Sequence, residues 1–194
     1  MRALTLYLRS RLVPTTAAAV LGCTLALWAL GLAVDHPLGR ALAALLITLA
    51  ATTAIGHGLA GPDHDLDKTA AIAWPPRRAA HIIVAGTAVL GLLATPALAG
   101  EQMTDAGQLL RNVAGLTGLV ALGAVVFGAA RAPLIPLVWT LLVLSSAPEP
   151  PTRPTHKVML TWMIQPADTR TAMVTAWSIA VTGSLAYALL GSRR

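Results

Sequence analysis

An all-α, polytopic membrane protein is the fold class this sequence predicts, and three observations predict it. Hydrophobic residues fill 56% of the 194 positions and charged residues only 11%, against about 25% charged in soluble domains. Mean hydropathy is +0.69. The charges mostly fall between long apolar runs, which leaves too little polar surface to coat a soluble core of this size.

A helix that crosses the hydrocarbon needs roughly 20 apolar residues at 1.5 Å each. Six runs qualify as spans within one transmembrane domain, 1–194. They are Thr15–Val34, Ala41–Ala60, His81 to Ala99 with Pro96 near its far end, Leu109–Ala130, Ala132–Ser146 and Thr171–Leu190. The fifth is short, and Pro133 and Pro136 fall in its first turns, where proline costs least. Only the area of Arg131 separates the fourth from the fifth, which implies a tight hairpin. The first run is longer than the roughly 7–15 residues of a signal-peptide core, and "AVDHP" is a poor cleavage site, so it reads as a retained span.

Ahead of it, "MRALTLYLRSRLV" (1–13) places Leu4, Leu8 and Leu12 at helical spacing with Arg2, Arg9 and Arg11 mostly off that line. A helix lying in the membrane interface fits this pattern, and so does a plain basic flank that sets topology. With both termini in the cytoplasm, nine Lys and Arg residues face inward and five outward, and that excess fixes the expected orientation in the cell membrane. Arg40 and Arg111 are then expected to snorkel to the outer headgroups. The loop 147–170 is outer. It opens on the proline-rich "APEPPTRP", and its Val158–Ile164 stretch is too apolar for a free loop and too short to span. It either re-enters the outer leaflet under cover of protein or lies as a surface helix on the spans.

The polar segment between spans two and three, "GPDHDLDKTAAIAWPPRRAAH", begins with Asp63, Asp65 and Asp67, which suit the amino end of a helix. Pro75 and Pro76 are expected to stop that helix after about ten residues, roughly 15 Å. Leu66, Thr69, Ala70 and Ala73 share one mostly apolar face, a form suited to docking in a partner's groove.

Several functions are excluded or disfavoured. The net charge of +6 comes with no basic, aromatic-interleaved patch, so no nucleic-acid partner is expected. Neither Lys68 nor Lys157 follows a glycine, so no phosphate-binding loop exists. No His-Glu-x-x-His or Gly-x-Ser-x-Gly pattern occurs, and no catalytic or metal-ligating residue is expected. Cys23 is the lone cysteine and forms no intrachain disulfide. His57, between Gly56 and Gly58 near the inner end of span two, is a candidate intramembrane functional residue. A hydrated or backbone-bonded histidine is the plainer alternative. The glycines of "GLTGLVALGAVVFG", Gly115, Gly118, Gly123 and Gly128, point to close helix packing.

The layout resembles the ABC-2-type exporter permeases. The likeness rests on the basic stretch Met1–Val13, six spans, a helix between spans two and three, and a short fifth span followed by a partly apolar outer loop. "DLDKTAAIAWPPRRAAH", "RNVAGLTG" (Arg111–Gly118) and "WMIQPAD" (Trp162–Asp168) are similar to segments of small actinobacterial-type members. The resemblance implies a coupling helix within 62–78 that sits in a cleft of a separate ABC-type ATPase, with Leu66, Thr69, Ala70 and Ala73 in apolar contact and Asp65, Asp67, Lys68 and Arg77 on the polar rim. It also implies a second permease chain, identical or different. ATP and Mg would belong to the partner ATPase, and this chain would hold no cofactor. The cargo would be hydrophobic or amphipathic and would move by alternating access. Two other readings use the same features: a membrane-anchored interaction or regulatory protein, and the six-span substrate-binding subunit of a vitamin importer, the chain itself being no enzyme in any of them.

Overall fold

A computed structural model describes residues 13–59, 74–100, 104–146 and 154–193. The interfacial stretch 1–12 and the segment 60–73, with the candidate residues Asp65, Leu66, Asp67, Lys68, Thr69, Ala70 and Ala73, lie outside the described residues. The described residues form helices and no strand: α1 (Val13–Ala33), α2 (Pro37–Gly58), α3 (Trp74–Leu93), α4 (Thr95–Leu98), α5 (Ala106–Phe127), α6 (Leu134–Ser145), α7 (Thr155–Leu160) and α8 (Arg170–Leu190). Short 3-10 turns cover Ala129–Arg131 and Trp162–Ile164.

Four helical stretches are long and apolar enough to cross a membrane: Pro37–Gly58, Trp74–Leu98, Ala106–Phe127 and Arg170–Leu190. Pro14–Leu30 and Ala129–Ser145 are shorter apolar helical stretches. Large apolar side chains stand exposed along the outside of the bundle, among them Leu25, Val84, Leu141 and Leu189, as a lipid-facing surface requires.

Local chemistry sets the ends. Pro37 opens α2 at a position whose N–H has no helical acceptor. Asp105 caps α5, its Oδ1 accepting from the Gly107 N–H at 2.7 Å. Gly128, at φ +86°, ends α5, and Gly191, at φ +75°, ends α8, both in the left-handed region where a side chain is strained. Pro136 sits in the first turn of α6, where its missing N–H is one of the four without an acceptor. Buried Thr24, Thr48, Thr52 and Thr140 donate to carbonyls one turn back, so their hydroxyls are satisfied within their own helices.

Two expectations need correction. The third span starts not at His81 but at Trp74. Pro75 and Pro76 therefore lie in the first turn of α3, which tolerates proline, and the helix expected to end at them lies outside the described residues. The boundary is hard to read because two prolines followed by Arg-Arg serve equally as the stop of one helix and the start of the next. Arg111 does not snorkel: it is fully buried.

The helix α5 is the hub. Of its apolar window 72% is buried, against 22% for α3 and for α8, and its most extensive partner is α8. Gly118 and Gly183 bring those two backbones together. A Cβ on Gly118 would lie 2.5 Å from the Ile179 carbonyl oxygen and 2.6 Å from the Ala180 Cα, and one on Gly183 would strike the Gly118 carbonyl. A Cβ on Gly123 would strike the Ala132 carbonyl in the turn before α6. Glycine at these points lets helices approach closely where lipid provides no hydrophobic drive between them.

One end of the bundle gathers the carboxyl ends of α2, α5 and α8 with the amino end of α3. The Tyr187 hydroxyl donates to the Leu59 carbonyl at 2.9 Å, the Arg193 N–H to the Ala124 carbonyl at 2.9 Å, and the Arg78 guanidinium packs on Gly191. Tyr187→Phe is expected to lower stability in detergent by about 1 kcal/mol, the usual value of one such bond, as read by denaturant titration.

Candidate functional site

Among the described residues, the opposite end holds the most polar buried cluster. Gln108, Arg111, Asn112 and Gly115 fall at i, i+3, i+4 and i+7 on α5, one continuous face. Into this face folds the chain that follows α7. Thr161 closes α7 by donating its hydroxyl to the Lys157 carbonyl at 2.8 Å, and Gln165 Nε2 donates to the Thr161 hydroxyl at 2.6 Å. Pro166 prevents any helix from continuing. Trp162 and Met163 are fully buried, and the Trp162 ring occupies the space where a Gly115 Cβ would stand.

This turn frees several backbone carbonyls that no helix satisfies. The α5 face supplies the donors: Asn112 Nδ2 to the Met163 carbonyl at 3.0 Å, Gln108 Nε2 to the same oxygen at 3.4 Å, and the Arg111 fork to the carbonyls of Gln165 and Pro166, the latter at 2.8 Å. In an apolar medium each stranded carbonyl costs several kcal/mol. A planar guanidinium that spans two successive carbonyls is well matched to the task. Arg111 Nε, Asn112 Oδ1 and Trp162 Nε1 have no hydrogen-bond partner among the described residues.

Gly115 is the tenth residue of α5, so the wedge reaches about 14 Å along that helix. The stretch Val158–Ile164 is thus split. Its first part is the carboxyl end of α7, with exposed Met159 and Leu160, and its last part is the 3-10 turn that dives between α5, α6 and α8. Trp139 of α6 pins the junction, its Nε1 donating to the Leu160 carbonyl at 2.9 Å. The arrangement offers no nucleophile or acid–base pair. It is an apolar wedge held by a polar latch. No group of three His, Cys, Asp or Glu side chains gathers among the described residues.

Of the candidate residues read from sequence, two are described. Arg77 lies exposed in the first turn of α3, its guanidinium 5.9 Å from the centre of the Trp74 ring. His57 lies exposed in the last turn of α2, while its neighbour Gly56 packs inward, where a Cβ would meet Val120 and Ala132 at 3.3 Å. The structure does not bring these two together: Arg77 borders a cleft between α1, α2 and α3 that Gly58 lines and His57 does not.

Sequence reasoning noted "RNVAGLTG" and "WMIQPAD" but not that they meet. Gln108 and Asn112 were missed. Their signal was present: three polar side chains at helical spacing inside an apolar run have to face protein rather than lipid. Comparison with protein families, curated proteins and solved structures finds no match to this chain.

Proposed function

We propose that the chain is the six-span transmembrane permease subunit of an ATP-driven exporter of the ABC-2 type, coupled to a separate ATPase and moving a hydrophobic or amphipathic cargo. One observation carries the reading. After the short α6, the chain folds back into the bundle as a latched wedge before α8 begins, which suits a short fifth span followed by a partly apolar outer loop. The placement of the polar segment supports it further. Leu59 bonds Tyr187, and Arg78 packs on Gly191, so the two ends of segment 60–73 stand at the same end of the bundle as the carboxyl terminus. A docking segment there lies on the cytoplasmic side if both termini do. In this reading Asp65, Leu66, Asp67, Lys68, Thr69, Ala70, Ala73 and Arg77 meet the ATPase, and two states of the permease pair differ in how that segment is held.

The test is isolation of the intact chain from its native membrane. An ABC-type ATPase is expected to copurify, and crosslinkers at Leu66 and Ala70 are expected to reach it. Leu66→Asp is expected to reduce ATP-driven transport at least tenfold without loss of membrane insertion, because a buried carboxylate without a partner is costly. Crosslinks that reach no ATPase overturn the reading.

A further inference from the structure

The cleft between α1, α2 and α3 shares Arg77 with the proposed ATPase contact, and the exporter reading leaves the rest of its lining unused. Its volume is about 600 Å3, within the range of ligand pockets. The α3 wall is one helical stripe, Arg77, His81, Val84, Ala88 and Leu92, and Val20 of α1 lies opposite. From Arg77 to Leu92 the stripe rises about 22 Å. One membrane leaflet with its headgroup layer is half of 40–45 Å, about the same length. The α3 wall of the cleft is therefore about one leaflet long.

Its polarity runs in one direction. The cationic Arg77 stands at one end of the stripe, with His81 one turn along, and beyond them Val84, Ala88 and Leu92 are apolar. The Trp74 ring beside Arg77 is the kind of aromatic group that settles at headgroup level. The lining selects among occupants. A single guanidinium at one end of an otherwise apolar stripe matches one anionic headgroup with its acyl chain, whereas an apolar span would leave that charge without a partner in lipid.

We propose that this cleft is a binding site for one anionic phospholipid, its phosphate at Arg77 and an acyl chain laid along Val84, Ala88 and Leu92. The site needs only that the bundle spans a membrane, so it holds for an exporter and for an anchor protein alike. Basic positions at a membrane surface attract acidic lipids by about 1 kcal/mol each, which sets the expected selectivity at about fivefold.

Native mass spectrometry of the full chain, released from nanodiscs of mixed phosphatidylglycerol and phosphatidylcholine, tests the assignment. The wild type is expected to retain one phosphatidylglycerol about fivefold over phosphatidylcholine. Arg77→Gln, an exposed change that leaves the core intact, is expected to bring the ratio close to one. Ala88→Trp is expected to remove the retained lipid of either type, and Arg170→Gln at the other end of the bundle is expected to leave the wild-type ratio unchanged. Equal retention of the two lipids by the wild type, or a ratio that Arg77→Gln does not move, overturns the proposal. So does an unchanged lipid count in Ala88→Trp. None of these outcomes bears on whether an ATPase copurifies, so the two readings fail separately.

Discussion

Gly183→Leu is expected to prevent assembly of the bundle, with loss of the monodisperse peak in detergent. The contact it disturbs is backbone on backbone. A Cβ at Gly183 would strike the Gly118 carbonyl, and no flexible side chain stands there to move aside. Overpacking in a yielding core costs about 1–3 kcal/mol. Here α5 and α8 have to part along their most extensive interface, so about 3 kcal/mol or more is expected. Gly22→Leu and Gly91→Leu serve as controls, because nothing lies within 4 Å of a Cβ at either position. They are expected to behave as the wild type. A Gly183→Leu protein that melts at the wild-type temperature would show that the two helices do not cross at this point.

Arg111→Leu is expected to release the wedge while leaving the bundle assembled. The fork makes charge-assisted bonds to two carbonyls, each worth about 1.5–3 kcal/mol. Leucine also strands the Gln165 carbonyl, while that of Pro166 keeps the Thr169 N–H at 3.2 Å. A combined loss of about 3–5 kcal/mol raises the open population of the turn at least a hundredfold. The readout is a cysteine placed at Met163, which is fully buried. Its reaction with a membrane-impermeant maleimide is expected to accelerate about a hundredfold when Arg111→Leu is added. Arg111→Lys is expected to fall between, since an ammonium lacks the planar fork. Unchanged labelling in Arg111→Leu would mean that apolar packing of Trp162 on Gly115 holds the wedge by itself.

The helical architecture was legible because each apolar run is near the length of a bilayer crossing and its punctuation is strong. The structure ends α5 and α8 within a few residues of where the runs stop, and Gly128, expected to pack helices closely, instead ends α5 at φ +86°. Gly115, Gly118 and Gly123 announced close packing, and each meets a ring or backbone. The boundary at Trp74 was misread because proline and arginine punctuation does not say which helix it belongs to. Arg111 was misread for a different reason. Its distance from the end of the run allows a long side chain to reach headgroups, and only the return of residues 162–166 from more than 50 positions away gives it an inward partner. The spacing of Gln108, Arg111 and Asn112 marks a face turned toward protein, but the identity of the partner is a property of tertiary structure. The wedge itself was half legible: its apolar character was plain, and its kink at Thr161 was not.

The helix α6 has 12 residues and climbs about 18 Å, well short of a hydrocarbon core of about 30 Å. On that flank α7 and the following turn, with exposed Met159, Leu160 and Ile164, complete the apolar height. Lipids beside this flank meet a step in hydrophobic thickness, and a bilayer adapts to such a step by thinning and tilting at an elastic cost per ångström. Acyl-chain length in the surrounding membrane is therefore expected to change the strain on this flank, most where the bilayer is thickest.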